Sequence, residues 1–266
     1  MQVTVLLTLP PDQDRSRSWL PDALTALGHD VVVVDRPGLE PDRAAALGYQ
    51  VADTWTARRP DVVLAVGWVA GLATVVATRE VPVPVLLRLP RAGRSGSAAV
   101  TRVERALARS GARLLARAPS ELDALAALGA PRDAIRVLPE PVDVGAGTAT
   151  PTTPPAGAEE PVVVATDDSA ADVSAVLEGM AAGRAVVVLD RGILGDLVAD
   201  HVTGLVVRTE GDLPAAVHGL AADGMRREAM GMAAADRVEA CFASAVVVEA
   251  LGRLVDEAGR PAYASV

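Results

Sequence analysis

Short apolar runs alternate with amphipathic stretches along the whole chain. Residues 3–9 read as a buried strand, and 18–27 as a helix that Gly28 is placed to terminate. The alternation continues with a strand at 30–34, a helix at 43–57, a strand at 61–66, a helix at 69–79 and a strand at 84–87. A helix at 98–109, a strand at 112–116, a helix at 121–128 and an extended segment at 134–138 follow. Residues 145–160 break the pattern, with Pro151, Pro154 and Pro155 among Thr, Gly and Ala, and read as a linker. Beyond it come strands at 161–166, 185–189 and 205–208. Helices are expected at 171–182, 194–199, 212–222, 225–241 and 244–258.

Valine-rich strands that each lead into a helix imply parallel sheets covered on both faces. The fold class is therefore α/β, with two Rossmann-like parallel-sheet domains, the second truncated to about three strands. The expected division is 1–143 for the first domain, 144–160 for the linker, 161–240 for the shortened second domain, and 241–266 for a C-terminal helix that packs back on the first.

At 266 residues the chain is long enough for one large or two small domains. Half of its residues are apolar and only 2% aromatic, so Val, Leu and Ala must build the core through many small contacts. The net charge of −9 disfavours nucleic acid as a partner. The single cysteine, Cys241, rules out an internal disulfide and is expected as a buried structural thiol; with three histidines, no zinc cluster is visible and no metal is expected. No apolar run reaches the ~18 residues of a membrane span. Residues 1–7 lack a basic start and read as a first strand, so a cytoplasmic location is expected.

Several segments carry a more specific signal in their order: Leu27-Gly28-His29-Asp30-Val31, Arg59-Pro60-Asp61-Val62-Val63, Ala118-Pro119-Ser120-Glu121-Leu122, Ile135-Arg136-Val137-Leu138-Pro139-Glu140-Pro141-Val142-Asp143, and Leu177-Glu178-Gly179-Met180-Ala181-Ala182-Gly183. Taken together the pattern resembles the family 4 retaining glycosyltransferases of the GT-B class. The resemblance implies an acceptor-side first domain, a second domain that binds the nucleotide sugar, and hexosyl transfer from that donor to an acceptor the sequence does not specify. It implies no cofactor beyond the donor substrate.

The resemblance also nominates residues. Glu178 is similar to the second glutamate of the family's paired-glutamate motif, which binds the donor ribose; the alternative is a helix-surface glutamate exposed to water. The motif's first glutamate falls at Ala170, and neither Asp168 nor Asp172 is a secure replacement. Gly192 sits where relatives let backbone amides approach the pyrophosphate, or else is an ordinary loop glycine. Relatives also carry a histidine near the reacting sugar; Pro90 takes that place here. Their phosphate-binding Arg/Lys pair has no counterpart, because the linker leads almost directly into the strand at 161–166. Arg88, Arg91 and Arg94 form the nearest cationic cluster, either as a replacement phosphate site or as a solvated basic loop. His29, His201 and His218 read as polar helix or loop residues.

These losses point to a glycosyltransferase-like protein whose activity is reduced or lost, with its catalytic residues unknown. The alternative is a non-catalytic GT-B-like binding protein that completes another transferase subunit.

Overall fold

A computed structural model describes residues 1–9, 16–94, 96–144 and 162–260. The expected linker at 145–160 lies outside the described residues. The chain forms two compact units, Met1–Leu138 with Val248–Val266, and Pro139–Val247.

The first unit holds a six-stranded sheet in which every pairing is parallel. Its strands are β1 (Gln2–Leu7), β2 (Asp30–Asp35), β3 (Val62–Val66), β4 (Val85–Arg88), β5 (Arg113–Ala116) and β6 (Ile135–Val137), in the order β2-β1-β3-β4-β5-β6. The helices α1 (Ser16–Ala26), α2 (Ala44–Ala57), α3 (Trp68–Glu80), α4 (Ala98–Ala108) and α5 (Pro119–Ala127) supply the crossovers. All five residues of β3 are buried, as expected of a central strand that meets a helix layer on each face. On one side Val63, Ala65, Leu87 and Leu114 pack with Leu47, Val51 and Trp55 of α2. A chain poor in aromatics fills this space with many aliphatic contacts, and Trp55 is the one ring among the fully enclosed members of that cluster.

The second unit has a three-stranded parallel sheet, β7 (Val162–Ala165), β8 (Ala185–Leu189) and β9 (Gly204–Val207), in that spatial order. Helices α6 (Ala170–Ala181), α7 (Leu194–Leu197), α8 (Leu213–Ala222) and α9 (Gly224–Cys241) surround it. Central β8 is wholly buried. Helix α9 approaches the turn after α6 so closely that a Cβ on Gly231 would lie 2.0 Å from the Gly183 carbonyl oxygen. The tight turn itself requires a positive φ, which Gly183 supplies at +67°.

The last helix, α10 (Ser244–Gly259), crosses the division between the units. Within the first unit its Gly252 lies against Leu27 and its Gly259 against Met1, while Glu257 pairs with Arg113 at 3.2 Å and Arg136 at 3.6 Å.

One expectation is corrected here. Cys241 is exposed, not a buried thiol. Helical periodicity aligns it with buried Ala234 and Val238, but α9 ends at this residue, and Phe242 fills the next core position at 6% exposure.

Candidate functional site

In parallel α/β sheets, ligands gather beyond the carboxyl ends of the strands, where crossover helices begin and amides lack partners. Each unit has such an edge, and in each several of those amides donate to the chain's own side chains.

In the first unit the strand order reverses at β1 and β3, the usual place for a ligand crevice. Gly67 turns the chain from β3 into α3 with a φ of +93°, and its amide donates to the carbonyl of Arg88 at 2.9 Å. A Cβ there would meet Leu9 Cγ at 2.7 Å, so the crevice floor is closed by Leu9. The first turn of α3 is capped from β1's end: Ala70 N donates to Thr8 Oγ1 at 3.1 Å.

Beside it, under the ends of β4 and β5, lies a buried ionic group. Glu121, in the first turn of α5, accepts the Arg117 amide at 2.6 Å and the Arg117 guanidinium at 2.9 Å from Nη2. Its other role is to hold the loop after β4, accepting the amide of Arg91 at 2.9 Å. Burial alone would push the Glu121 carboxyl up, but the charge and hydrogen bonds of Arg117, joined by the charge of Arg88, hold it below the usual carboxylate range. Glu104 of α4 fastens the same loop further along by accepting the Gly93 amide at 2.9 Å. Burial pushes the Glu104 carboxyl up, against the lowering effect of that amide.

This changes the reading of the three arginines. Arg88 is not part of a solvated basic loop: it ends β4, is 0% exposed, and stands 6.0 Å from the centre of the Trp19 ring. A central strand carries it inward, and strand position overrides its polarity. Arg91 is half-buried with a φ of +58°, and Arg94 is exposed.

In the second unit, Asp172 of α6 folds back over the end of β7. Its Oδ2 accepts the amides of Thr166 at 3.2 Å and Asp167 at 2.9 Å. Ser169 caps α6 by accepting the Asp172 amide at 3.1 Å, and Asp167 Oδ1 accepts the amide of Asp168. A carboxylate of the chain therefore occupies the amides at this strand end. After β8, Gly192 adopts a φ of +59° at the turn into α7, a left-handed conformation that glycine favours. Arg191 beside it pairs with Glu210 at 3.5 Å. Arg237 of α9 ties down α7 by donating to the carbonyls of Leu197 and Asp196 at 2.8 and 2.9 Å.

Helix α6 begins at Ala170, which puts Glu178 roughly 12 Å of axial rise along it. The side chain is exposed. His201 is an exposed turn residue with a φ of +61°, its ring beside Asp200 and Arg226.

The residues that sequence reasoning passed over are Glu104, Arg117 and the bonding role of Asp172. A signal existed for one of them: the Arg117-x-x-x-Glu121 spacing across a strand-to-helix turn. Among the described residues no group of three or more metal-ligating side chains occurs, and no helix is long and apolar enough to cross a membrane.

Two parallel Rossmann-like sheets in succession, each with its polar loops at the carboxyl edge, define an α/β protein of the GT-B class. The chain belongs to the Glycosyl transferase 4-like domain family, whose pattern matches residues 1–141. No curated protein is similar enough in sequence to count as a match. Solved structures share the fold at low identity. Sucrose-phosphate synthase from Thermosynechococcus elongatus superposes with a TM-score of 0.76 at 14% identity, over 97% of this chain and 98% of that one. HepE from Anabaena, solved with UDP and glucose, gives 0.75 at 13%, over 97% and 100%. A glycosyltransferase from Rickettsia africae gives 0.72 at 10%, over 96% and 98%.

Proposed function

We propose that this chain is a glycosyltransferase-like protein of the retaining, nucleotide-sugar-dependent kind whose transfer activity is reduced or lost. The observation that carries this reading is the internal occupation of its phosphate-ready amides. Asp172 takes the loop after β7, and Glu121 and Glu104 take the loop after β4. In this reading a diphosphate at the loop after β7 meets the Asp172 carboxylate instead of open amides, and the buried acids of the first unit leave the loop after β4 with fewer donors to offer. Loss of even one such donor costs about 10²–10³-fold in rate.

The residual donor contacts in this reading are Gly192, with the loop it turns, and Glu178. The latter serves a ligand only where that ligand extends along α6. Of Arg88, Arg91 and Arg94, only Arg91 and Arg94 reach the surface, where a cation could serve a ligand. Of these, Arg94 is the most exposed, and Arg88 is held inside. HepE was solved with UDP and glucose, which makes UDP and UDP-sugars the first ligands to try.

The test is a thermal-shift and turnover panel with UDP, GDP and their sugars. Weak binding that Glu178→Ala diminishes, without sugar release, is expected. Robust transfer that Glu178→Ala abolishes sinks the reading and makes the chain an active transferase.

A second reading, a non-catalytic partner that completes another transferase subunit, has one observation in its favour. Among the described residues β7 is an edge strand of the small second sheet, with Val164 40% exposed, and an edge of this kind invites a covering chain. A change of oligomeric state on mixing with a full-length transferase, lost in Val164→Lys, is the expected result under that reading.

A further inference from the structure

The opposite edge of the first sheet, where the strands begin, carries two adjoining cavities that the donor reading does not use. One, of 690 Å³, lies between the ends of α3 and α4 and has Val75, Val83, Leu87 and Leu107 among its walls. Its hydroxyls are already committed to helix carbonyls: Thr74 Oγ1 donates to Ala70 O at 2.8 Å, Thr78 Oγ1 to Thr74 O at 2.8 Å, and Ser110 Oγ to Leu107 O at 2.7 Å. Apart from the exposed Arg79, which also lines it, the chamber thus offers a ligand mainly apolar contact.

The other, of 590 Å³, is lined by Arg59, Arg113 and Arg260 with Asp61 as its one carboxylate. Asp61 is engaged by the Gln2 amide at 2.7 Å. Glu257, just outside, is shared between Arg113 and Arg136 and so does not offset both. Three guanidinium groups therefore line the cavity against one carboxylate, Arg59 also donating to the Pro82 carbonyl, in a chain whose overall charge is −9. Pro84, Val85 and Gly111 line both cavities, so the apolar chamber and the cationic one share a wall. Both volumes fall in the range of small-molecule sites, ~300–1,000 Å³.

We infer that this edge binds an amphiphilic anion, with a phosphate or carboxylate head among Arg59, Arg113 and Arg260 and a hydrocarbon tail in the chamber beside Val75 and Leu107. Guanidinium groups match such heads in geometry, and each buried methylene of the tail adds further affinity. The site is separate from the loops proposed to meet a nucleotide sugar, and the two stand or fall independently.

The experiment titrates the full chain with n-octyl phosphate below its micellar concentration, and with inorganic phosphate as the head alone, by calorimetry. Octyl phosphate is expected to bind at least about tenfold more tightly than inorganic phosphate. The double variant Arg59→Gln/Arg260→Gln, changed only at exposed side chains, is expected to weaken it about tenfold or more. Thr78→Phe, which fills the chamber, brings octyl phosphate down to the level of the head alone. Sedimentation with phosphatidylcholine vesicles containing phosphatidic acid then separates the sources of the head. Arginine-dependent cosedimentation means a membrane lipid, and octyl phosphate binding without it means a soluble amphiphile; either supports the site. No binding, equal affinity for the two phosphates, or affinity indifferent to the arginines overturns it.

Discussion

Asp172 Oδ2 accepts the amide of Asp167 at 2.9 Å, so that a carboxylate from α6 caps the end of the strand that precedes it. The bond places the Asp172 carboxylate over the amides at the end of β7. Asp172 acts as a resident anion, and a bound phosphate would have to displace it.

Removing that anion should have two effects. Asp172→Ala is expected to lower stability by about 1–2 kcal/mol, since two amides lose a charged acceptor. It should also strengthen binding of inorganic pyrophosphate. Urea unfolding gives the first quantity and calorimetry the second. A variant as stable as the parent with unchanged pyrophosphate affinity contradicts the resident-anion account.

Glu121 makes stability depend on acid. Its folded carboxyl is held below the ordinary value, so its contribution is present above the unfolded pKa of ~4.3 and disappears as pH falls through the folded pKa. Glu121→Gln leaves Arg117 without its charged partner, at a cost of about 3–5 kcal/mol near neutrality. Denaturation curves recorded from pH 7 to pH 3 should show the gap between parent and variant closing in acid.

Glu104 has the opposite sign. Its folded carboxyl is raised, so its contribution is present below ~4.3 and is lost as pH rises through the folded value. Glu104→Gln keeps an acceptor for the Gly93 amide without the buried charge. At neutral pH the variant should be at least as stable as the parent, and that advantage should vanish in acid. A clear loss of stability at pH 7 would show that the charge itself is needed.

Gly231→Ala tests the packing of α9 against the turn at Gly183. The added methyl would stand 2.0 Å from a backbone oxygen, which no rotamer relieves. A loss of about 2–3 kcal/mol is expected, read as a lower urea midpoint with an unchanged slope. Gly219→Ala, with nothing within 4 Å of the new Cβ and a helical position, serves as the control and should be neutral or slightly stabilising.

The layout of the sheets was legible in the sequence because valine-rich runs and amphipathic stretches announce themselves locally. Strand β8 at 185–189 coincides with its expected span, and the loop glycine at 192 turns the chain with a positive φ. Less legible was the fate of single polar residues. Arg88 reads as the start of a basic loop, yet one further residue of strand pairing carries it into the interior opposite Leu115. Glu178 reads either as a ribose ligand or as a helix-surface residue, and it stands exposed well inside α6. Cys241 follows a buried periodicity that ends with the helix itself.

By itself, then, the order of residues determined the succession of strands and helices, the parallel class of both sheets and the family, because these depend on local periodicity and on turns made by neighbours. Which carboxylates would take the amides at the strand ends was decided only in three dimensions. Glu121 reaches Arg91 across 30 residues of chain, and Thr8 reaches Ala70 across 62. A hydrogen bond acts over about 3 Å, and only the folded sheet brings such partners within that distance.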